Sequence, residues 1–132
     1  MIYLLDTHVL VWSFMYSPKL SNTCMGILKD KKNTILVSTI SFWEISLKHS
    51  INKLDILGII PEALPKLAIE AGYELLPLLP DDVANYHHLN ANWHRDPFDK
   101  MLIWQAIQKD ITLISRDEDM IKYRSAGLKV VW

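Results

Sequence analysis

The chain has 132 residues, half of them hydrophobic, enough for one domain over residues 1–132 with a substantial core and no evident linker. Its 14 Lys and Arg stand against 15 Asp and Glu, so the net charge of −1 lacks the basic excess usual in nucleic-acid binders, although carboxylates holding a divalent ion would hide positive charge from this count. A single cysteine, Cys24, excludes an internal disulfide and a multi-cysteine zinc cluster; with no apolar run near the length of a membrane span and no signal-peptide pattern at the start, a cytoplasmic protein is expected.

Ile2, Tyr3, Leu4 and Leu5 form a short apolar run that stops at Asp6, the pattern of a strand buried on both faces. Residues 9–14 are predicted helical and Pro18 stops them; Ser21 then caps a second helix through Lys29, before a polar turn at 30–33. Residues 34–38 read as the second strand, 39–51 as a helix, 61–71 as a helix closed by Gly72, 73–76 as a strand and 81–92 as a helix. The stretch His94-Arg95-Asp96-Pro97-Phe98-Asp99 opens the next helix, with Asp96 as its cap and Pro97 in the first position. A strand at 111–115 halts at Arg116-Asp117, and a short helix at 118–123 and a last strand at 129–132 follow. Strands alternating with helices predict an α/β fold with a parallel sheet.

Four acids interrupt this pattern. Asp99 shares a helical face with Leu102, Ile103 and Ala106, where a carboxylate is costly unless something positive meets it. Glu44 breaks the stripe Ile40, Leu47, Ile51 in the same way, with a capping box from Ser41 as the competing explanation. Asp6 ends the first strand and Asp117 follows the fourth. Right-handed crossovers bring the carboxyl ends of parallel strands to one edge, and the helix that feeds the fourth strand starts at that edge. Asp6, Glu44, Asp99 and Asp117 are therefore expected to converge into a mutually repelling cluster that hard cations, Mg²⁺ or Mn²⁺, would relieve.

At these residues the chain resembles the PIN-domain nucleases, and more closely the VapC-type toxins of bacterial toxin–antitoxin pairs. The resemblance runs through Tyr3-Leu4-Leu5-Asp6-Thr7-His8, Val37-Ser38, Trp43-Glu44-Ile45 with Lys48, the stretch from His94 to Asp99, and Leu113-Ile114-Ser115-Arg116-Asp117. It implies a three-layer fold with five parallel strands ordered 3-2-1-4-5. It also implies Mg²⁺- or Mn²⁺-dependent cleavage of RNA, a homodimer, and an antitoxin that occludes the site. Asp6, Glu44, Asp99 and Asp117 match the family's metal-binding acids. The chain departs from the pattern at Trp104, where a small alanine is usual, and at Met120, which replaces a frequent aromatic.

Other residues have weaker claims. Asp96 is explained by capping, though it stands close enough to reach an outer-shell water, and Thr7 reads equally as a cap or as a group orienting Asp6 or a phosphate. Arg95, Lys100 and Arg116 flank the acids, with solvated surface charge as the stronger reading. His87 and His88 cannot share one site on a helix, and His94-Arg95-Asp96 resembles a kinase catalytic loop without its asparagine or Gly-rich loop. The five tryptophans read as core or interface instead of a base-stacking platform. A phospho-receiver domain needs an acidic pair after the first strand, and Thr7 stands there; a haloacid-dehalogenase-like phosphatase needs an aspartate where His8 stands. A catalytically silent partner-binding module on the same fold is the remaining alternative.

Overall fold

β1 (Ile2–Leu5) lies at the centre of a five-stranded parallel sheet in the computed structural model, which describes residues 1–15 and 17–132. β2 (Thr34–Ser38) and β4 (Thr112–Ile114) flank β1, and β3 (Glu74–Leu76) and β5 (Lys129–Val131) close the two edges, giving the order 3-2-1-4-5. Pairing is in register along the carboxyl edge: Leu5 faces Ile114, and the backbone N–H of Asp6 extends the ladder to the Ile114 carbonyl at 3.0 Å.

The period-2 alternation of the central strands separates two cores. Leu4, Leu113 and Val130 face a layer that holds α6 (Pro97–Lys109) and the 3-10 turns of Glu118–Ala126. Tyr3, Leu5, Val37 and Ile114 face the opposite layer, where α1 (Thr7–Met15), α2 (Asn22–Lys29), Ile45 of α3 (Thr39–Ser50) and α4 (Leu64–Glu70) pack. The result is the three-layer α/β/α arrangement. Cys24 is buried in the second core, where burial pushes its thiol up to about 11, a packing role.

Several helix boundaries differ from the sequence reading. Residues 61–71 divide into a 3-10 turn at Pro61–Ala63 and α4, which does end at Gly72 with its left-handed φ of 89°. The helix expected over 81–92 is only α5 (Pro80–Ala84) and a 3-10 turn at Tyr86–His88, after which residues 89–96 run without helix or strand. The sequence has too few apolar residues at helical spacing there to hold a longer helix on the core. Residues 118–126 form 3-10 turns closed by Gly127 at φ 102°. Trp104 is buried in the first core, with its indole N–H donated to Asn85 Oδ1 at 2.9 Å, and Met120 fills the same core completely buried. Among the described residues, no helix is long and apolar enough to cross a membrane.

Candidate acidic site at the carboxyl edge

Where β1 and β4 diverge, their connections leave on opposite sides of the sheet, and this is where open parallel sheets place ligands. Asp6 follows β1 there, Ser115 follows β4, and α3 starts from Ser38 at the end of β2. The start of α6 arrives from the other layer. Asp96 caps it, its Oδ1 accepting from the N–H groups of Phe98 at 2.8 Å and Asp99 at 3.4 Å, which turns Asp99 toward the same edge.

A cavity of about 390 Å³ lies along β5 and a second, of about 360 Å³, is lined by Asp6, His8, Trp12, Asp99, Arg116 and Asp117. Glu44 does not line this second cavity but is buried close enough to Asp6 and Asp99 to raise the affinity of both for a proton. All four acids singled out from the sequence thus sit together. Capping does not explain Glu44: the N-cap of α3 is Ser38, whose Oγ accepts from the Ile40 N–H at 3.2 Å, so Glu44 lies a full turn inside the helix. The stripe drawn through Ile40, Glu44, Leu47 and Ile51 is also corrected, since Leu47 and Ile51 are exposed and the buried face is Ile40, Ser41, Glu44 and Ile45.

The two deepest acids are held alike. Ser115 Oγ donates to Asp6 Oδ2 at 2.7 Å, and Lys48 Nζ donates to Glu44 Oε2, one helical turn on. Their other oxygens, Asp6 Oδ1 and Glu44 Oε1, are buried with no hydrogen-bond partner among the described residues. The Thr7 hydroxyl neither caps a helix nor orients Asp6; it donates to Ser41 Oγ at 2.9 Å, pinning the start of α1 to α3, while the Thr7 backbone N–H favours the Asp6 carboxylate.

The charges bear on one another as such crowding requires. Burial, then the Coulombic effect of Asp6, Asp96, Glu44 and Asp117, pushes the Asp99 carboxyl up to about 8. Burial likewise raises Asp6, opposed by its hydrogen bond from Ser115. Asp117 goes the other way: burial alone would raise it, but hydrogen bonds from His94 and from the Asp119 N–H outweigh that and hold it below the usual range. Lys48 is raised despite burial, because Glu44, Asp96 and Asp99 all favour its charge. It belongs to the site and not to a solvated patch.

Two contributors were missed in the sequence. His94 is buried, with Nε2 2.7 Å from Asp117 Oδ2 and Nδ1 3.3 Å from the hydroxyl of the fully buried Tyr123, which also accepts from the His94 backbone N–H at 2.9 Å. Because a carboxylate only accepts, Nε2 is the donor to Asp117. Ser115, besides holding Asp6, accepts from the Asp117 N–H at 3.1 Å, so one hydroxyl joins two of the acids. Both lie within the stretches that carry the family resemblance, His94 beside the cap of α6 and Ser115 just after β4, but the sequence reading gave neither a role. His87 and His88, by contrast, are exposed and line none of the acidic cavity.

The donor set suits a hard divalent cation: it is dominated by carboxylate oxygens, two of them buried and unpartnered. Ligand atoms of His94, Asp99 and Asp117 also lie within 4.8 Å of one another.

Comparison with solved structures finds the same fold. A chain of the VapBC2 complex from Rickettsia felis bound to a promoter DNA fragment superposes with a TM-score of 0.69 at 20% identity, covering 99% of this chain and 98% of that one. A chain of VapBC-1 from nontypeable Haemophilus influenzae gives 0.68 at 17% identity, with 99% and 97% covered. One of FitAcB from Neisseria gonorrhoeae gives 0.59 at 21%, with 100% and 97% covered. The comparison with curated proteins gives no match. The family model described as PIN domain matches residues 3–125, a span that takes in all four acids and, apart from Ile2, the first four strands of the sheet, and the chain therefore belongs to the PIN-domain family.

Proposed function

We propose that the protein is a metal-dependent ribonuclease, the toxin of a toxin–antitoxin pair. The observation that carries the reading is the pair of buried, unpartnered oxygens, Asp6 Oδ1 and Glu44 Oε1, beside an Asp99 carboxyl pushed up to about 8. A protein keeps such costly groups where a ligand relieves them. In this reading Asp6, Glu44 and Asp99 hold the principal ion and Asp117 completes its shell or helps a second that comes with substrate. Bound Mg²⁺ or Mn²⁺ supplies Lewis acidity, making a water more acidic and countering the charge that builds on the phosphate during in-line attack.

The protein's own part is to present oxygens at fixed places. Ser115 and Lys48 each tie down one oxygen of an acid and leave the other without a partner among the described residues. Asp99 gives up a proton on loading, which makes loading pH-dependent. Cleavage of purified single-stranded RNA with Mg²⁺ or Mn²⁺, abolished by EDTA, tests the activity. RNA left intact at every metal concentration would favour the silent binding module.

The toxin assignment draws support from further structures of this fold, a toxin–antitoxin complex from Klebsiella pneumoniae and a member of the VapBC family of toxin–antitoxin systems from Mycobacterium tuberculosis. A homodimer and a cytoplasmic location belong to the same proposal. A cognate antitoxin would lay an apolar segment on the toxin, for which exposed Trp43 and Leu47 of α3 and Ile51 at its end offer area, and reach the acids with an arginine.

His94 is a positioning residue for Asp117 in this scheme. In His94→Gln the amide nitrogen reaches the place of Nε2, whereas in His94→Asn it reaches only that of Nδ1. Gln is expected to keep Mn²⁺ affinity within about threefold and Asn to lose about 10–100-fold, the range for partners behind a ligand. Equal affinities in the two variants, read by titration calorimetry, would remove the role.

Asp96→Asn keeps a competent cap, so activity should fall less than about tenfold and stability by less than about 1 kcal/mol. Loss of activity as complete as that of Asp99→Asn would make Asp96 a member of the metal site.

A further inference from the structure

The cavity along β5 has no part in the scheme above, yet it opens beside the acids and shares Arg116 and Asp117 with their cavity. Arg116 is its unusual member. It is exposed, precedes Asp117 and Glu118 in the chain, and among the described residues makes no ion pair or hydrogen bond with either or with any other group. Its guanidinium instead lies over the ring of Trp12, 5.8 Å from the centroid. An arginine stacked on an aromatic keeps its in-plane N–H groups free, and that fork matches a phosphate.

Trp12 and Trp132 meet edge to face at 6.1 Å. With Arg116 they form a ridge, Trp12 facing the acidic cavity and Trp132 the one along β5. Beyond the ridge, the walls are Ile121, Val130 and Val131, with Arg124 adding a second guanidinium and Glu118 one acid. A volume of about 390 Å³ with apolar walls, an aromatic side and the unpaired guanidinium of Arg116 on its border suits a flat ring joined to an anion. Asp117 and Glu118 are the acids that anion must pass, and Arg124 is held to the Val130 carbonyl at 3.3 Å.

Resting on the nuclease reading, we propose that this cavity is a nucleotide subsite for single-stranded RNA: Arg116 takes the phosphate next to the scissile one, and the attached nucleoside lies against Trp132. Only an unstacked base fits such a wall, so duplex RNA is excluded from it. The tryptophans here do part of the work that the sequence reading denied them.

The test compares wild type, Arg116→Ala and Arg116→Lys on RNA oligonucleotides with and without one nucleotide flanking the cleaved bond. Two readouts are used: fluorescence anisotropy of labelled RNA in EDTA, and steady-state cleavage with Mn²⁺. Arg116→Ala should weaken binding and raise KM about tenfold or more on the longer RNA, with kcat within about twofold and the melting temperature unchanged. Lys should recover only part, since it keeps the charge without the fork. On the oligonucleotide lacking that nucleotide, wild type should bind as weakly as the Ala variant, and the variant should lose nothing further. Equal losses on both RNAs, or no loss on either, would overturn the subsite while leaving cleavage intact. RNA binding that depends on Arg116 without any cleavage would keep the subsite and sink the nuclease reading; neither binding nor cleavage would sink both.

Discussion

Asp99→Asn should lower RNA cleavage by more than about a hundredfold, beyond the range expected for residues that only support a metal ligand, and at the same time make the metal-free protein more stable. Both effects come from one carboxyl group. In the unfolded chain Asp99 titrates near 4, whereas in the fold burial and its acidic neighbours push it up to about 8. Between those values the folded chain holds a proton that the unfolded chain releases, so each unit of rising pH favours unfolding by up to about 1.4 kcal/mol. Below about pH 4 both states are protonated and the penalty vanishes. Asp6, also raised by burial, acts in the same direction, while Asp117, held low, acts only under more acidic conditions. The melting temperature of wild type in EDTA should therefore fall from pH 5 to pH 8, and the Asn variant should lose most of that slope. A metal-free variant that melts below wild type at pH 8 would mean that Asp99 is a structural carboxylate.

Trp104→Ala should have the opposite signature, a large loss of stability with the chemistry spared. The side chain is buried in the core against α6's partners and donates its N–H to Asn85, so its removal leaves both a cavity and an unpaired amide oxygen. A cost of about 3–5 kcal/mol is expected, or on the order of 10–20 °C in melting temperature. Trp104 lines no part of the acidic cavity, and five residues along a helix turns it well away from Asp99. At a temperature where the variant is folded, kcat should remain within about threefold. A cleavage defect in fully folded protein would show that packing under α6 sets the position of Asp99.

The acids were legible because each violated a local rule. Asp99 and Glu44 sat on apolar helical faces, Asp6 and Asp117 stood where buried strands ended, and topology alone carried them to one edge. The strand order itself came from the family resemblance and not from periodicity. What stayed hidden depends on side-chain direction. Nothing in the sequence told whether Trp12 faced the core or the cavity, or that a histidine next to the α6 cap would reach an aspartate 23 residues later. Ser115 was unreadable for the same reason, since a serine ending a strand is ordinary until its hydroxyl is seen between Asp6 and the Asp117 N–H. The helix expected over 81–92 failed differently. A helix does start there, with Pro80 in its first turn and the Asp82 carboxylate accepting from the Leu79 N–H at 3.1 Å, but the segment lacked the apolar face needed to extend it.

Whether the acids make one metal site is decided most directly by titrating Mn²⁺ into wild type, Asp6→Asn, Glu44→Gln and Asp99→Asn and counting bound ions by calorimetry or electron paramagnetic resonance. Wild type should bind at least one ion with release of protons at neutral pH, and each of the three variants should lose that same ion while remaining folded. Wild type that binds no divalent ion, or variants that all keep wild-type affinity, would contradict a shared metal site.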